Sequence, residues 1–236
     1  GKTSDYLAEK GAGKRTFTSE FGDHAREVWF YECFPYTPKM WESFMKSSPK
    51  GLYEKEVLCK SRKGRNVPFY RIASGTSGPK MSVVGSSRHH CSEAPATYVA
   101  EGLVGAFLED SELGRWLRDN VELTVVPFVD MDGVVDGDQG KWRLPHAAYV
   151  EKYQEGGLNY KVSKDLPFGV RWNTAKNYAD GFSVKHWVLN NIDGIDVCRT
   201  FEVPFTYSGK TKVYPTNLRQ FGHGIARAIK ALAEDE

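Results

Sequence analysis

No stretch of this chain approaches the roughly 18 consecutive apolar residues that a membrane-spanning helix needs, so a membrane role is not expected. Cysteine is scarce. Cys33, Cys59, Cys91 and Cys198 lie far apart and form no C-x-x-C pair, which argues against a disulfide framework and against a cysteine-type zinc site. Read as free thiols, they point to a reducing, cytoplasmic setting. An excess of one charge is also missing: 32 Lys and Arg stand against 30 Asp and Glu, a formal +2, so the balance makes no case for a nucleic-acid partner. The opening residues lack the basic-then-apolar pattern of a signal peptide. Because the chain opens on Gly1 rather than Met, that reading concerns only the residues given. Internal repeats and low-complexity tracts are absent. Nothing in the sequence speaks to oligomeric state.

What is present is ordinary globular composition. The chain has 236 residues, 40% hydrophobic and 26% charged, enough for one domain with a sizeable core and a small appendage. Residues 1–25 are polar and Gly-rich. Val28–Phe34 reads as a strand, and Pro38–Lys46 as a short helix with proline in its first turn. Tyr53–Cys59 and Val67–Ala73 read as strands of a hairpin. The basic cluster Lys60, Arg62, Lys63 and Arg65 falls at its solvated tip. Met81–Ser86 reads as a short, apolar, buried strand. Val99, Leu103, Ala106 and Phe107 mark a helix over Ala96–Glu109, continued at Leu113–Leu117. Val121–Val129 is a strongly apolar strand, Lys185–Asn190 a helix, Val197–Phe205 a strand and Asn217–Glu234 an amphipathic helix. The alternation implies an α/β fold with a mixed, largely parallel central sheet flanked by helices and a short N-terminal β segment. In such folds, sites gather at the carboxyl ends of strands.

Four segments carry candidate chemistry. In VVGSSRHHCSEAPA a strand end is followed by His90 and Glu93, three residues apart and able to converge on one metal ion. His89 is equally able to bind metal, whereas Cys91 reads as a small packed residue. VVPFVDMDGVVDGDQGKWR runs from an apolar strand into a loop holding Asp130, Asp132, Asp136 and Asp138. Calcium is the rival reading there, but the glycine and the closing Glu of an EF-hand loop are not in place. Arg143 ends the segment as a fixed cation suited to an oxyanion or carboxylate. LPFGVRWNTAKNY is either a packed surface loop or one that closes over substrate with Asn173 and Tyr178 at its lip. In CRTFEVPF, Glu202 sits in an apolar strand, aimed either at solvent or into a site where it could take a proton from bound water.

Taken in order, SSRHHCSE, VVPFVDMDGV with GDQGK, LPFGVRWNTAKNY and the final TFE resemble the zinc carboxypeptidases of the carboxypeptidase A superfamily. The cytosolic-carboxypeptidase branch and its bacterial relatives are nearest in pattern. The resemblance runs from about Tyr53 to the C-terminus, with REVWFYECFPYT similar to the segment that leads into the catalytic domain. It implies residues 1–50 as the remnant or end of a small β domain and 51–236 as a carboxypeptidase-like α/β domain. It implies zinc as the metal, with His90 and Glu93 as two ligands, Glu202 as general base and Arg143 steadying the oxyanion. Arg88, Asn173 and Tyr178 are then expected at the substrate, a peptide or protein C-terminus.

One departure stands out. The family places an Asn-Arg pair soon after GDQGK, and further on a third, histidine ligand on another core strand. Neither is found, and the chain reads as several dozen residues short between about His146 and Tyr149, where a break or long spatial jump is expected. His146 is an alternative third ligand, whereas His186 and His223 read as surface or packing residues. The functional expectation is hydrolysis of a C-terminal peptide bond. The alternatives are an inactive binding module that keeps the fold, or an amide deacylase of the aspartoacylase type.

Overall fold

A computed structural model of the protein describes residues 33–73, 78, 79, 81–137, 157, 158, 160, 161 and 184–235. These fall within one compact unit, Glu32–Glu236. Helix α1 spans Pro38–Ser47, with Thr37 as N-cap accepting from the Met40 amide and proline in the first turn. Strands β1 (Glu54–Lys60) and β2 (Asn66–Ile72) form the expected hairpin, followed by β3 (Met81–Ser86). Helices α2 (Ala94–Leu108) and α3 (Glu112–Asn120) lead into β4 (Val121–Val126). Then come α4 (Met131–Asp136), α5 (Val184–Asn191), the short hairpin β5 (Tyr207–Ser208) and β6 (Thr211–Lys212), and α6 (Pro215–Asp235).

The main sheet has the order β1-β2-β4-β3. It is mixed, but among the described residues it is not largely parallel: β1–β2 and β2–β4 are antiparallel, and β3–β4 is the parallel pair. Register sorts its faces. Tyr70 opposes Val125, Ile72 opposes Leu123, and Val83 opposes Leu123 from the other side, so these residues share the core face. There Trp41 of α1 meets Tyr70 at 5.7 Å between ring centroids. On the same face, Gly85 leaves room for Leu103 of α2. The reverse face is partly solvated. Val84 is 77% exposed, so β3 is half-buried rather than the buried strand expected from its composition.

Helices α2 and α6 cross with almost no side chain between them. A methyl group at Gly102 would stand 2.0 Å from the Arg219 carbonyl oxygen, and one at Gly222 2.0 Å from that of Val99. Beside the crossing, Arg219 grips the buried Glu101 with two bonds of 2.9 and 3.0 Å. Among the described residues, no helix is long and apolar enough to cross a membrane.

Two further expectations change. Residues 197–205 form no strand among the described residues. The Asp-rich stretch after β4 is partly helical, as α4. Tyr36, Trp41 and Met45 belong to the core. The Val28–Phe34 strand falls largely outside the described residues, as does the 146–149 junction.

Candidate active site

The loop after β3 carries the first pair. His90 Nδ1 sits 2.8 Å from Glu93 Oε1, and both side chains are partly buried. The geometry follows from local wiring. The Ser87 amide donates to Val126 O (3.0 Å), Val129 N to Ser87 O (3.1 Å) and Asp130 N to Arg88 O (2.9 Å). The loop is thereby stitched to the end of β4, as the parallel pairing of β3 and β4 requires.

Arg88, the residue expected at substrate, has another task. Its φ is +57°, and its buried guanidinium donates from Nε to Cys91 O (2.7 Å), from Nη1 to Tyr36 O (3.0 Å) and from Nη2 to Cys91 O. The group holds the His90 turn and ties it to the segment before α1; it is committed to carbonyls of the fold. His89, the rival metal residue, is exposed and bonds through Nε2 to Ser86 Oγ at 2.8 Å. Cys91 is buried as expected, and none of the four cysteines forms a disulfide.

Glu202 stands on a segment held by aromatic packing. Its neighbour Phe201 meets Phe221 of α6 edge to face at 6.1 Å, and Tyr160 closes the trio. Burial pushes the Glu202 carboxyl up to about 7, and the negative charge of Glu93 adds to the rise.

The acidic stretch is accounted for differently. Asp130 caps α4, accepting from the Gly133 amide at 3.0 Å. Asp132 and Asp136, one helical turn apart, bind the β1–β2 hairpin tip. Arg65 bridges them, with Nη1 to Asp132 Oδ1 at 2.8 Å and Nη2 to Asp136 Oδ1 at 2.7 Å, and Lys63 Nζ reaches Asp136 Oδ2 at 2.7 Å. Hydrogen bonds from Arg65 and Lys63 hold the Asp136 carboxyl far below the usual carboxylate range. These carboxylates are spent on cations of the fold, which leaves no calcium loop among the described residues. The hairpin tip keeps Lys60, Arg62 and Lys63 exposed, as expected, while Arg65 and Lys63 pair with α4. Sequence reasoning missed this clamp, although a basic tip and an i, i+4 Asp pair were both visible.

Arg143, His146, Asp138, Asn173 and Tyr178 lie outside the described residues. His186 falls on α5, and His223 packs on α6 with Nε2 3.2 Å from Glu109 Oε1. Among the described residues, no three His, Cys, Asp or Glu side chains gather closely enough to enclose a metal ion. The nitrogen and oxygen donors of His90 and Glu93 suit zinc in kind, and supply two of the three protein ligands usual at a catalytic zinc.

Comparison with known proteins gives a family and a fold. The zinc carboxypeptidase family model matches residues 39–221. Cytosolic carboxypeptidase 2 of Xenopus tropicalis is 28% identical over 133 residues, covering 52% of this chain and 14% of that protein. The Danio rerio protein of the same name is 29% identical over 133 residues, covering 52% of this chain and 18% of its own length. The chain thus spans less than a fifth of these curated relatives. A metallo-carboxypeptidase from Burkholderia cenocepacia superposes with a TM-score of 0.61 at 14% identity, covering 87% of this chain and 72% of that one. A carboxypeptidase A-like structure from Shewanella denitrificans gives 0.60 at 16%, covering 86% and 71%. At these identities the structures speak for the fold alone.

Proposed function

Because this chain belongs to the zinc carboxypeptidase family, we propose that it removes the C-terminal residue of a peptide or protein by hydrolysis. The observation that carries the reading is the family match over residues 39–221, which takes in both the His90–Glu93 pair on the loop after β3 and Glu202. His90 and Glu93 would hold zinc, and Arg143, by resemblance, would act at the scissile carbonyl. Zinc, when bound, would supply a Lewis acid and a water acidified to a pKa of about 7. Glu202 then takes a proton at its carboxylate, a role suited to a group whose own value is close to neutral. Arg143 offers a fixed cation to the oxygen on which negative charge develops. Asn173 and Tyr178 are the proposed substrate contacts. Arg88 is not among them, because its donors are occupied by carbonyls.

The test is metal content. Protein purified with zinc present and then dialysed is expected to retain about one zinc per chain, as a family active site requires. Retention of none would favour a binding module that keeps the fold without the chemistry. The paired 2.8 Å contact of His90 with Glu93 gives that second reading its one support, because a turn closed on itself needs no ion.

A further inference from the structure

Helix α4 has two sides in contact with the fold. One side carries Asp132 and Asp136 to the hairpin tip, where Arg65 bridges both carboxylates. Ser61 Oγ adds a bond to Asp132 Oδ1 (2.8 Å), and the Lys63 amide adds one to Asp132 Oδ2 (3.0 Å). The other side is pressed on the site loop. A methyl group at Gly133 would stand 2.7 Å from Cys91 Cβ and 2.8 Å from its sulfur. Cys91 lies between His90 and Glu93 in sequence, and its carbonyl is held by Arg88. The residue before α4, Asp130, donates its amide to Arg88 O. A continuous run of contacts therefore joins the hairpin tip to the turn that presents His90 and Glu93.

We propose that Arg65 is a positioning residue for the site, acting through Asp132, Asp136 and α4 to fix the 87–93 loop that carries His90 and Glu93. A planar, forked cation is what bridging two carboxylates requires; a lysine ammonium can serve as a point charge but not as a fork. Clamping α4 at its outer side keeps Gly133 seated on Cys91, and a loop so backed holds its two donors at fixed separation. This rests on the reading of His90 and Glu93 as metal ligands for its consequence, though not for the mechanical link itself.

The experiment compares Arg65→Ala, Arg65→Lys and Lys55→Ala in the full chain. Lys55→Ala removes an exposed pair with Glu42 from the same hairpin and serves as the control for a general loss of stability. Two quantities are read where all variants remain folded by circular dichroism. One is amide hydrogen exchange at Ser87, Glu93, Val129 and Asp130. The other is zinc affinity by competition with a chelating dye. Arg65→Ala should speed exchange at these amides by about fivefold or more and weaken zinc by about tenfold. Arg65→Lys should fall between Arg65→Ala and the wild type, and Lys55→Ala should stay within about twofold of the wild type on both. Equal exchange in Arg65→Ala and Lys55→Ala would overturn the proposal. Asp136→Asn, which breaks the bridge from the other side, supplies the same comparison if Arg65→Ala does not fold. A wild-type protein that binds no zinc would remove the metal reading, while the exchange data would still decide the clamp.

Discussion

Phe201 meets Phe221 edge to face at 6.1 Å, with the two ring planes 84° apart. That contact anchors to α6 the segment from which Glu202 projects. Removing it should matter more to the site than to the fold. We predict that Phe201→Leu lowers stability by only about 1 kcal/mol, the worth of such an aromatic pair with some apolar area, and costs catalytic turnover disproportionately. Urea midpoints set beside kcat would show this; a fall in kcat no larger than that of a core variant of equal stability would contradict it.

The α2–α6 crossing predicts opposite outcomes for two glycines in one region. Gly222→Ala would force a methyl group into the Val99 carbonyl, and separating the helices should cost about 3 kcal/mol or more. Gly105→Ala meets nothing within 4 Å and should stabilise α2 by roughly 0.5–1 kcal/mol through helix propensity. Thermal unfolding of the two variants checks both signs.

Arg88→Ala separates a structural arginine from a substrate contact. With three buried bonds to carbonyls lost, stability should drop by about 2–3 kcal/mol. Arg88→Lys should not restore it, since one ammonium cannot serve carbonyls on both sides. An unchanged urea midpoint with a raised KM would return Arg88 to the substrate.

Glu202 also leaves a pH signature in the metal-free protein. Its carboxyl is raised from an ordinary 4.5 to about 7, so the folded chain holds its proton more tightly than the unfolded chain. Between those two values the folded state binds more protons, and stability must fall as pH rises through the window. Screening at a half-buried position leaves the loss on the order of 1–2 kcal/mol. Urea unfolding at pH 5 and pH 8 should show this decline in the wild type. The decline should shrink in Glu202→Gln, which mimics the protonated form; equal slopes would contradict the assignment.

Much of this was legible in the sequence, and the reasons differ by element. Periodicity and capping marked α1, α2 and α6, because a helix that buries one stripe must repeat it. The hairpin β1–β2 was equally plain. β3 was misjudged because Val83 and Val84 look alike in composition, whereas register sends one to the core and the other to solvent. Residues 197–205 have strand composition but form no strand among the described residues, since strand formation depends on tertiary context that composition does not report. The His90–Glu93 turn was readable from spacing. The true partners of Arg88 and Arg65 were not, since both depend on which carbonyls and carboxylates the tertiary fold brings near.

The central claim is that His90, Glu93 and Glu202 serve one hydrolytic site. The most direct measurement is release of the C-terminal residue from a peptide mixture, followed by mass spectrometry, for zinc-loaded wild type and zinc-loaded Glu202→Gln. The account predicts turnover by the wild type and a fall of about 10²–10⁴-fold in the variant with zinc content unchanged, because the amide keeps the shape but cannot accept the proton. Zinc-loaded wild type that releases nothing, or a Glu202→Gln protein that turns over undiminished, would contradict it.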